Sequence, residues 1–414
     1  MKALVMMTGQ TVSKINPDWL RTAFTQKLVS ALGAEAIKFV GGAVRDTLLG
    51  RTVTDIDAAT IHKPEETMRR LQKAGLKAIP TGLQHGTVTA VDGDGNTLEI
   101  TTLRLDVTTD GRHAEVAFTE SWLEDAKRRD FTFNALYASP DGTVFDPFGG
   151  QGDLKAGRVL FIGNAEDRIE EDALRIMRFF RFLALYGAGE PDQKGLQACG
   201  DGRHMLRTLS VERIRAELLK LLGAETPVPT LTLMQEQGIW GAFGIEAVDI
   251  EGLGRFLCSE AQMREGQKRE AQIAQGQAPI VRLYILLQKA FSAKALADWL
   301  KLSRKESVLL KSLEKVLALP VPSSATACRA LLYKHGVAAA TVAAIQAGAK
   351  EGALLLKTVG NWQVPSFPLQ GRDMLAAGFA AGPEMGQMLK AVEATWIESD
   401  FSLSKDQLLA TIDR

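Results

Sequence analysis

Asp55 and Asp57 stand two residues apart in the run Thr54-Asp55-Ile56-Asp57-Ala58. On an extended strand, side chains at i and i+2 leave the same face, which would set the two carboxylates side by side. Such a pair repels unless a cation lies between its members. Hard carboxylate oxygens are the donors that hold Mg²⁺ in two-ion phosphoryl-transfer sites. A lone D-x-D is more often a solvated strand end, so the neighbours decide. Upstream, Val40-Gly41-Gly42-Ala43-Val44-Arg45-Asp46 interrupts an apolar run with paired glycines. Gly41 and Gly42 let backbone N–H groups approach a phosphate closely, the helix start after them adds positive potential, and Arg45 offers a forked charge to the same group. The alternative for this stretch is a tight strand-to-helix turn with Arg45 at the surface. Downstream, Glu99 lies between Leu98 and Ile100. It would be a third metal ligand or the group that orients an attacking hydroxyl, and a solvent-facing strand residue reads the same in isolation.

A sheet must position these residues. Ala36 to Val40 reads as a strand, Ala43 to Leu49 as a short helix ended by Gly50, and a second strand should carry Asp55 to Asp57. A helix from Pro64 to Gly75 has Pro in its first turn. Thr87 to Val91 and Thr97 to Leu103 are β-rich, with the hairpin signal Asp92-Gly93-Asp94-Gly95 between them. After Asp146-Pro147-Phe148-Gly149-Gly150 the strand patterns give way to amphipathic runs at Ile169–Tyr186, Val211–Leu222, Ile280–Lys289, Ala293–Leu302, Ser307–Leu317, Ala338–Ala349 and Gly382–Ile397. The polar stretch Glu260 to Gln277 reads as an exposed helix or connection. The expected class is α+β, with a small sheet-bearing part followed by a long helical one.

Composition narrows the possibilities. The 414 residues are 46% hydrophobic and 24% charged, which excludes a mainly disordered chain. No apolar stretch is long enough to span a membrane. Cys199, Cys258 and Cys328 are sparse and odd in number, without C-x-x-C spacing, so neither a zinc site nor a disulfide framework is expected. The start, MKALVMMTGQ, lacks the h-region and cleavage site of a secretory signal. A reducing cytoplasm fits best. The 49 basic and 49 acidic residues cancel, which taken whole argues against a nucleic-acid partner. The cancellation is uneven. Residues 1–150 sum to −2, 151–250 to −3, 251–350 to +8 and 351–414 to −3. The +8 stretch, with Lys301, Arg304, Lys305, Lys311 and Lys315, is a candidate face for a phosphate backbone; a solvated helix surface is the alternative.

The string FVGGAVRDTLLGRTVTDIDAAT, Phe39 to Thr60, resembles the active-site signature of the class II tRNA nucleotidyltransferase and bacterial poly(A) polymerase family, part of the polymerase-β-like nucleotidyltransferase superfamily. Other blocks follow in the family's order. Glu99 to Arg104 is similar to the strand of the third carboxylate. Lys127-Arg128-Arg129-Asp130-Phe131-Thr132-Phe133-Asn134-Ala135 is similar to the ribose-reading block. Asp146 to Gly150 with Asp153-Leu154 resembles the turn leaving the head. Glu171-Asp172-Ala173-Leu174-Arg175, continued by Arg178 and Arg181, resembles the base-selecting helix. Glu212 to Glu217 matches the last of these blocks, and Gly371 to Met374 with Gly382 to Gly386 is similar to the tail of bacterial members. Two departures stand out. His85 replaces the Phe frequent before Gly-Thr-Val, and Arg112-His113-Ala114 stands where the loop often reads Arg-Arg-Pro.

The resemblance implies a polymerase-β-like head with a mixed sheet at 1–150, a helical neck for base selection at 151–230, and an elongated helical body and tail for tRNA at 231–414. It implies template-independent addition of CCA to tRNA 3′ ends from CTP and ATP with two Mg²⁺ ions. Asp55 and Asp57 would hold the metal, with Glu99 beside them. Gly41, Gly42, Arg45, Arg128, Arg129, Asp130 and Asn134 would contact phosphates and ribose, and Asp172, Arg175, Arg178 and Arg181 would read the base. Spacing makes the reading physically sensible: Asp172 and Arg175 are i and i+3, and Arg178 and Arg181 repeat the step. A carboxylate accepts from the exocyclic amine of cytosine or adenine, whereas uracil and guanine present a carbonyl there. A wrong base leaves buried polar groups unpaired, at about 1–3 kcal/mol each. Gly382 and Gly386 join the basic stretch as candidate RNA contacts. Some relatives carry a C-terminal phosphohydrolase domain built on His-Asp clusters. The histidines here are His62, His85, His113, His204 and His335, so no such activity is expected. The alternatives are CC- or A-only addition, poly(A) polymerase, or a catalytically silent RNA-binding protein.

Overall fold

The computed structural model describes residues 13–110, 113–266, 273 and 276–412; the MKALVMMTGQ start, Arg112 and most of the polar stretch 267–275 lie outside them. The described residues form two compact units, one running to residue 209 together with 233–243, the other comprising 210–232 and the residues from 244 onward.

The first unit carries α1 (Ala23–Leu32), β1 (Ile37–Val40), α2 (Gly42–Leu48), β2 (Asp57–Thr60), α3 (Pro64–Lys73), β3 (Lys77–Gly82), β4 (Thr87–Val91), β5 (Thr97–Thr102), β6 (Arg104–Asp110), β7 (His113–Phe118), α4 (Trp122–Lys127), β8 (Tyr137–Ala138), β9 (Val144–Phe145), α5 (Gly150–Ala156), α6 (Ala165–Glu171), α7 (Leu174–Tyr186) and α8 (Gln193–Asp201). Seven strands form one sheet in the order β3-β4-β5-β2-β1-β8-β9, and β6 with β7 makes a separate ribbon. Only β2 and β5 run parallel in the large sheet, so it is mixed. The alternation in β5 decides its faces: Leu98 and Ile100 are buried while Thr97 and Glu99 are exposed. Asp92 closes the turn before it by accepting from the backbone N–H of Asp94 and Asn96. Among the described residues no strand follows Phe145.

The second unit is helical. The remaining helices of the chain are α9 (Val211–Leu222), α10 (Val228–Glu236), α11 (Ile239–Ala242), α12 (Ile250–Gly266), α13 (Ala278–Leu287), α14 (Ala293–Trp299), α15 (Arg304–Leu317), α16 (Ala325–Ala347), α17 (Ala353–Asn361), α18 (Gly371–Ala376), α19 (Pro383–Glu398) and α20 (Lys405–Ala410). Ser303 and Glu306 cap α15 reciprocally, which moves its start ahead of Ser307. The Ala338–Ala349 run falls, up to Ala347, within the longer α16, which turns at Gly336 with φ 81°.

Two expected elements differ. The second strand does not carry both aspartates: β2 begins only at Asp57, opposite Val40, where β1 ends and the chain turns at Gly41. Asp55 therefore precedes the strand, where its carboxylate accepts from Thr54 Oγ1 at 3.2 Å. The Ile169–Tyr186 run is two helices, because Asp172 leaves the helical conformation at φ −153° and accepts the Leu174 N–H on its side chain.

The packing that holds α7 is aromatic. Phe131 packs at 4.7 Å, tilted, against Phe161 and at 5.3 Å, edge-on, against Phe182, and Phe161 stacks 5.5 Å from Phe179. Phe131, Phe133 and Phe179 are wholly buried. Burying each such ring is worth about 1.5–3 kcal/mol, so this cluster fixes α7 against the segment 131–134 that precedes β8.

Candidate active site

Strand register brings the acidic residues together. Parallel pairing of β2 with β5 sets Asp57 opposite Glu99, and Asp55 precedes it by two residues. All three are exposed. Although Asp57 is open to solvent, the sheet end beneath it strips part of its hydration and raises its carboxyl above the ordinary range; Glu99 and Asp55 push the same way, and the Arg129 guanidinium opposes them. A divalent cation would relieve that repulsion. Among the described residues no three acidic, imidazole or thiol side chains converge into a ready-made metal cage. Mg²⁺ keeps several waters and leans on one or two carboxylates plus substrate phosphates, so an open group of hard oxygens suits it.

The glycine turn lies at the same sheet end, since Val40 pairs with Asp57 and Gly41 follows. Gly41 has φ 66° and ψ −119°, a conformation that side chains disfavour. Two guanidiniums flank the turn. A Cβ built on Gly41 would lie 3.9 Å from Arg129 Nη1, and one on Gly42 would lie 3.8 Å from Arg45 Nη2. Arg45 is not at the surface. It is 7% exposed and donates through Nη1 to Asn134 Oδ1 at 2.8 Å and through Nε and Nη2 to Asp46 at 3.1 and 3.0 Å.

Arg128 and Arg129 are fixed by one residue that sequence reasoning passed over. Asp125, 1% exposed, accepts from Arg128 Nε and Nη2 at 2.9 and 2.6 Å, from Arg129 Nη2 at 3.1 Å and from the Tyr137 hydroxyl at 2.6 Å. Burial would raise its carboxyl, but Arg129 and Arg128 outweigh it and hold the value at about 2. The available signal was positional: Asp125 precedes the two arginines by three and four residues, the spacing of helical ion pairs.

A largely buried relay then joins the segment Asp130–Asn134 to α7. Arg178 donates to Asp130 Oδ2 at 2.5 Å, Asn134 Nδ2 donates to Asp130 Oδ1 at 2.9 Å, and Asn134 Oδ1 accepts from Arg45. Asp130 does not cap a helix; its Oδ1 also accepts the Phe131 N–H. Arg175 serves the joint between α6 and α7, donating to Glu171 at 2.6 Å and to the carbonyls of Arg168 and Arg128, each at 3.0 Å. Asp172 lies at the break between these helices, so Asp172 and Arg175 do not share one continuous helical face. Arg181 is buried with its guanidinium 3.9 Å from the Phe182 ring centre.

In the second unit, Arg304, Lys305, Lys311 and Lys315 are exposed along α15, and Arg304, Lys311 and Lys315 recur on one stripe of it. Lys301, outside that helix, is held by Glu212 at 2.7 Å. Gly382 and Gly386 are exposed at the start of α19.

Comparison with known proteins agrees with this geometry. Residues 37–160 match the poly A polymerase head domain family, and 190–243 match the family described as a probable RNA and SrmB-binding site of polymerase A. The chain is 33% identical to the mitochondrial CCA tRNA nucleotidyltransferase 1 of Mus musculus over 97% of its own length and 93% of the relative's. It is 33% identical to a CCA-adding enzyme of Levilactobacillus brevis, covering 93% and 95%. Among solved structures, the Bacillus stearothermophilus CCA-adding enzyme in complex with CTP superposes with a TM-score of 0.72 at 27% identity, over 94% of this chain and 96% of that one.

Proposed function

The chain belongs to the family of CCA-adding tRNA nucleotidyltransferases, and from that membership we propose that it extends tRNA 3′ ends with C, C and A, taking CTP and ATP as substrates without a nucleic-acid template. The observation that carries the reading is the register that sets Asp57 opposite Glu99 at the sheet end leading into Gly41 and Gly42. Carboxylates and a glycine turn there would serve one reaction, attack of a ribose 3′-hydroxyl on an α-phosphate with loss of pyrophosphate.

We assign residues 1–150 to catalysis, 151–230 to base selection and 231–414 to tRNA. Asp55 and Asp57 would hold Mg²⁺, with Glu99 orienting the hydroxyl. When bound, Mg²⁺ lowers the pKa of the attacking hydroxyl and neutralises the leaving phosphates. Arg129 beside Gly41 and Arg45 behind Gly42 would set the potential along the triphosphate, with Arg128 held next to them. Asp130 and Asn134 would meet the ribose, whose 2′-hydroxyl both donates and accepts. Asp172, Arg175, Arg178 and Arg181 would discriminate the base, and the exposed cations of α15 would follow the tRNA backbone, with Lys301, Gly382 and Gly386 as further candidates. Cys199, Cys258 and Cys328 are free thiols, which suits a reducing setting such as the cytoplasm; no described helix is long and apolar enough to cross a membrane.

Supplying tRNA that lacks its terminal CCA with Mg²⁺ and each nucleotide in turn tests the assignment. CTP, and ATP after it, should be incorporated while UTP and GTP are refused. Indifference to the base, or transfer that persists after chelation of divalent ions, would overturn it.

A further inference from the structure

We propose that Tyr186, at the last turn of α7, is a positioning residue for the triphosphate side of the site. It holds Arg45 behind the Gly41–Gly42 turn and Arg51 against the segment that leads to Asp55. The inference rests on the reading that this turn and its guanidiniums receive the triphosphate.

The Tyr186 ring serves two guanidiniums. Arg45 Cζ lies 4.5 Å and Arg51 Cζ 4.6 Å from its centre. Its hydroxyl donates to Asp46 Oδ1 at 2.9 Å, and the same Asp46 carboxylate takes two N–H bonds from Arg45. Arg51 is tied at both ends: its backbone N–H donates to the Asp46 carbonyl at 2.8 Å, and its Nη2 donates to the Leu185 carbonyl at 3.0 Å. Only three residues separate Arg51 from Asp55. The ring is therefore shared by the strut behind the glycine turn and by the start of the segment carrying the first carboxylate.

The placement also depends on α7 as a whole. Arg178, Phe182 and Tyr186 recur at four-residue steps, so they lie along one side of the helix. Phe182 is 5.9 Å from Tyr186 and 5.4 Å from Arg45 Cζ. The helix that carries a candidate base reader at one end thus fixes a phosphate-side arginine at the other. A guanidinium stacked on an aromatic face gains cation–π energy and loses rotational freedom, both of which favour a single placement. Without the ring, Arg45 keeps Asp46 and Asn134 but loses the surface that stops it swinging, and Arg51 keeps only its bonds to the backbone.

The test compares Tyr186→Leu, Tyr186→Phe and Arg45→Ala with the unaltered protein on tRNA lacking its CCA end. It reads kcat per folded molecule, KM for CTP and ATP, and inhibition by pyrophosphate, a probe with no base or ribose. Tyr186→Leu should raise both KM values and the pyrophosphate inhibition constant by a common factor of about tenfold, leaving the preference for CTP over UTP unchanged. Tyr186→Phe keeps the stack and should stay within about threefold of the unaltered protein. A Tyr186→Leu protein that loses kcat only in proportion to its folded fraction, with KM and pyrophosphate inhibition unchanged, would show a purely structural role and overturn the inference. If Arg45→Ala leaves pyrophosphate inhibition untouched, the reading of the turn fails and this inference falls with it. If Arg45→Ala weakens inhibition and Tyr186→Leu does not, the inference alone is wrong.

Discussion

Asp125 shows how a residue away from the reacting atoms can set a site. Its carboxylate holds Arg128, Arg129 and the Tyr137 hydroxyl at 1% exposure. Removing one member of such a buried charged group leaves the others uncompensated, so Asp125→Asn is expected to lose on the order of 3 kcal/mol of unfolding free energy and to raise KM for both nucleotides. Its pH dependence has a definite sign. The folded carboxyl sits at about 2, below its reference value of 3.8. Its contribution, about 2 kcal/mol, is therefore fully present above about pH 4 and is lost as pH falls toward about 2. Urea unfolding at stepped pH should show that acid limb flattened in Asp125→Asn; an unchanged limb would contradict the assignment. Asp55→Ala should behave oppositely, cutting transfer by on the order of 10³-fold or more while the thermal midpoint stays put, because Asp55 is exposed and its carboxylate accepts from the neighbouring Thr54 hydroxyl at the surface. At this scale the sequence singled out Asp55, Asp57 and Glu99 by type and order, and the register sets Asp57 opposite Glu99. It was uninformative about Arg45, whose burial depends on Asn134 and Tyr186, residues 89 and 141 positions away.

Elements were legible where a local signal was unopposed. β1, α3 and β5 follow from a short apolar run, a Pro start and an Asp-rich turn. The start of β2 was not legible, because strand length is decided by the partner strand, and β1 ends at Val40. Nor was the break at Asp172, since apolar periodicity runs straight through it while Asp172 leaves the helical conformation and takes the Leu174 N–H on its side chain. The cationic stripe of α15 is an element-scale feature with an element-scale test. Reversing Arg304, Lys311 and Lys315 together should weaken tRNA binding and lower the slope of log affinity against log salt by about 2–3, with KM for CTP unaffected. Lys301→Glu should weigh less, because that ammonium is already paired with Glu212. A triple reversal that left both affinity and salt slope intact would remove α15 from the RNA interface.

For the whole molecule, the neutral sum of 49 and 49 was the misleading number. It averages acidic sums over 1–150, 151–250 and 351–414 with a +8 stretch at 251–350. The switch from strand to helix near residue 150 was legible because the hydrophobic period changes there, and the mixed sheet followed by helices bears out the α+β class. The grouping into two compact units was not, since residues 210–232 and 233–243 are contiguous in sequence yet belong to different units. No local period records such long-range packing. What the molecule does as a whole is tested most directly by product length. tRNA ending at its discriminator nucleotide, given CTP, ATP and Mg²⁺ together, should grow by three residues and stop. A product that stalls after the cytidines, a lengthening ladder of adenosines, or no growth at all would contradict the assignment.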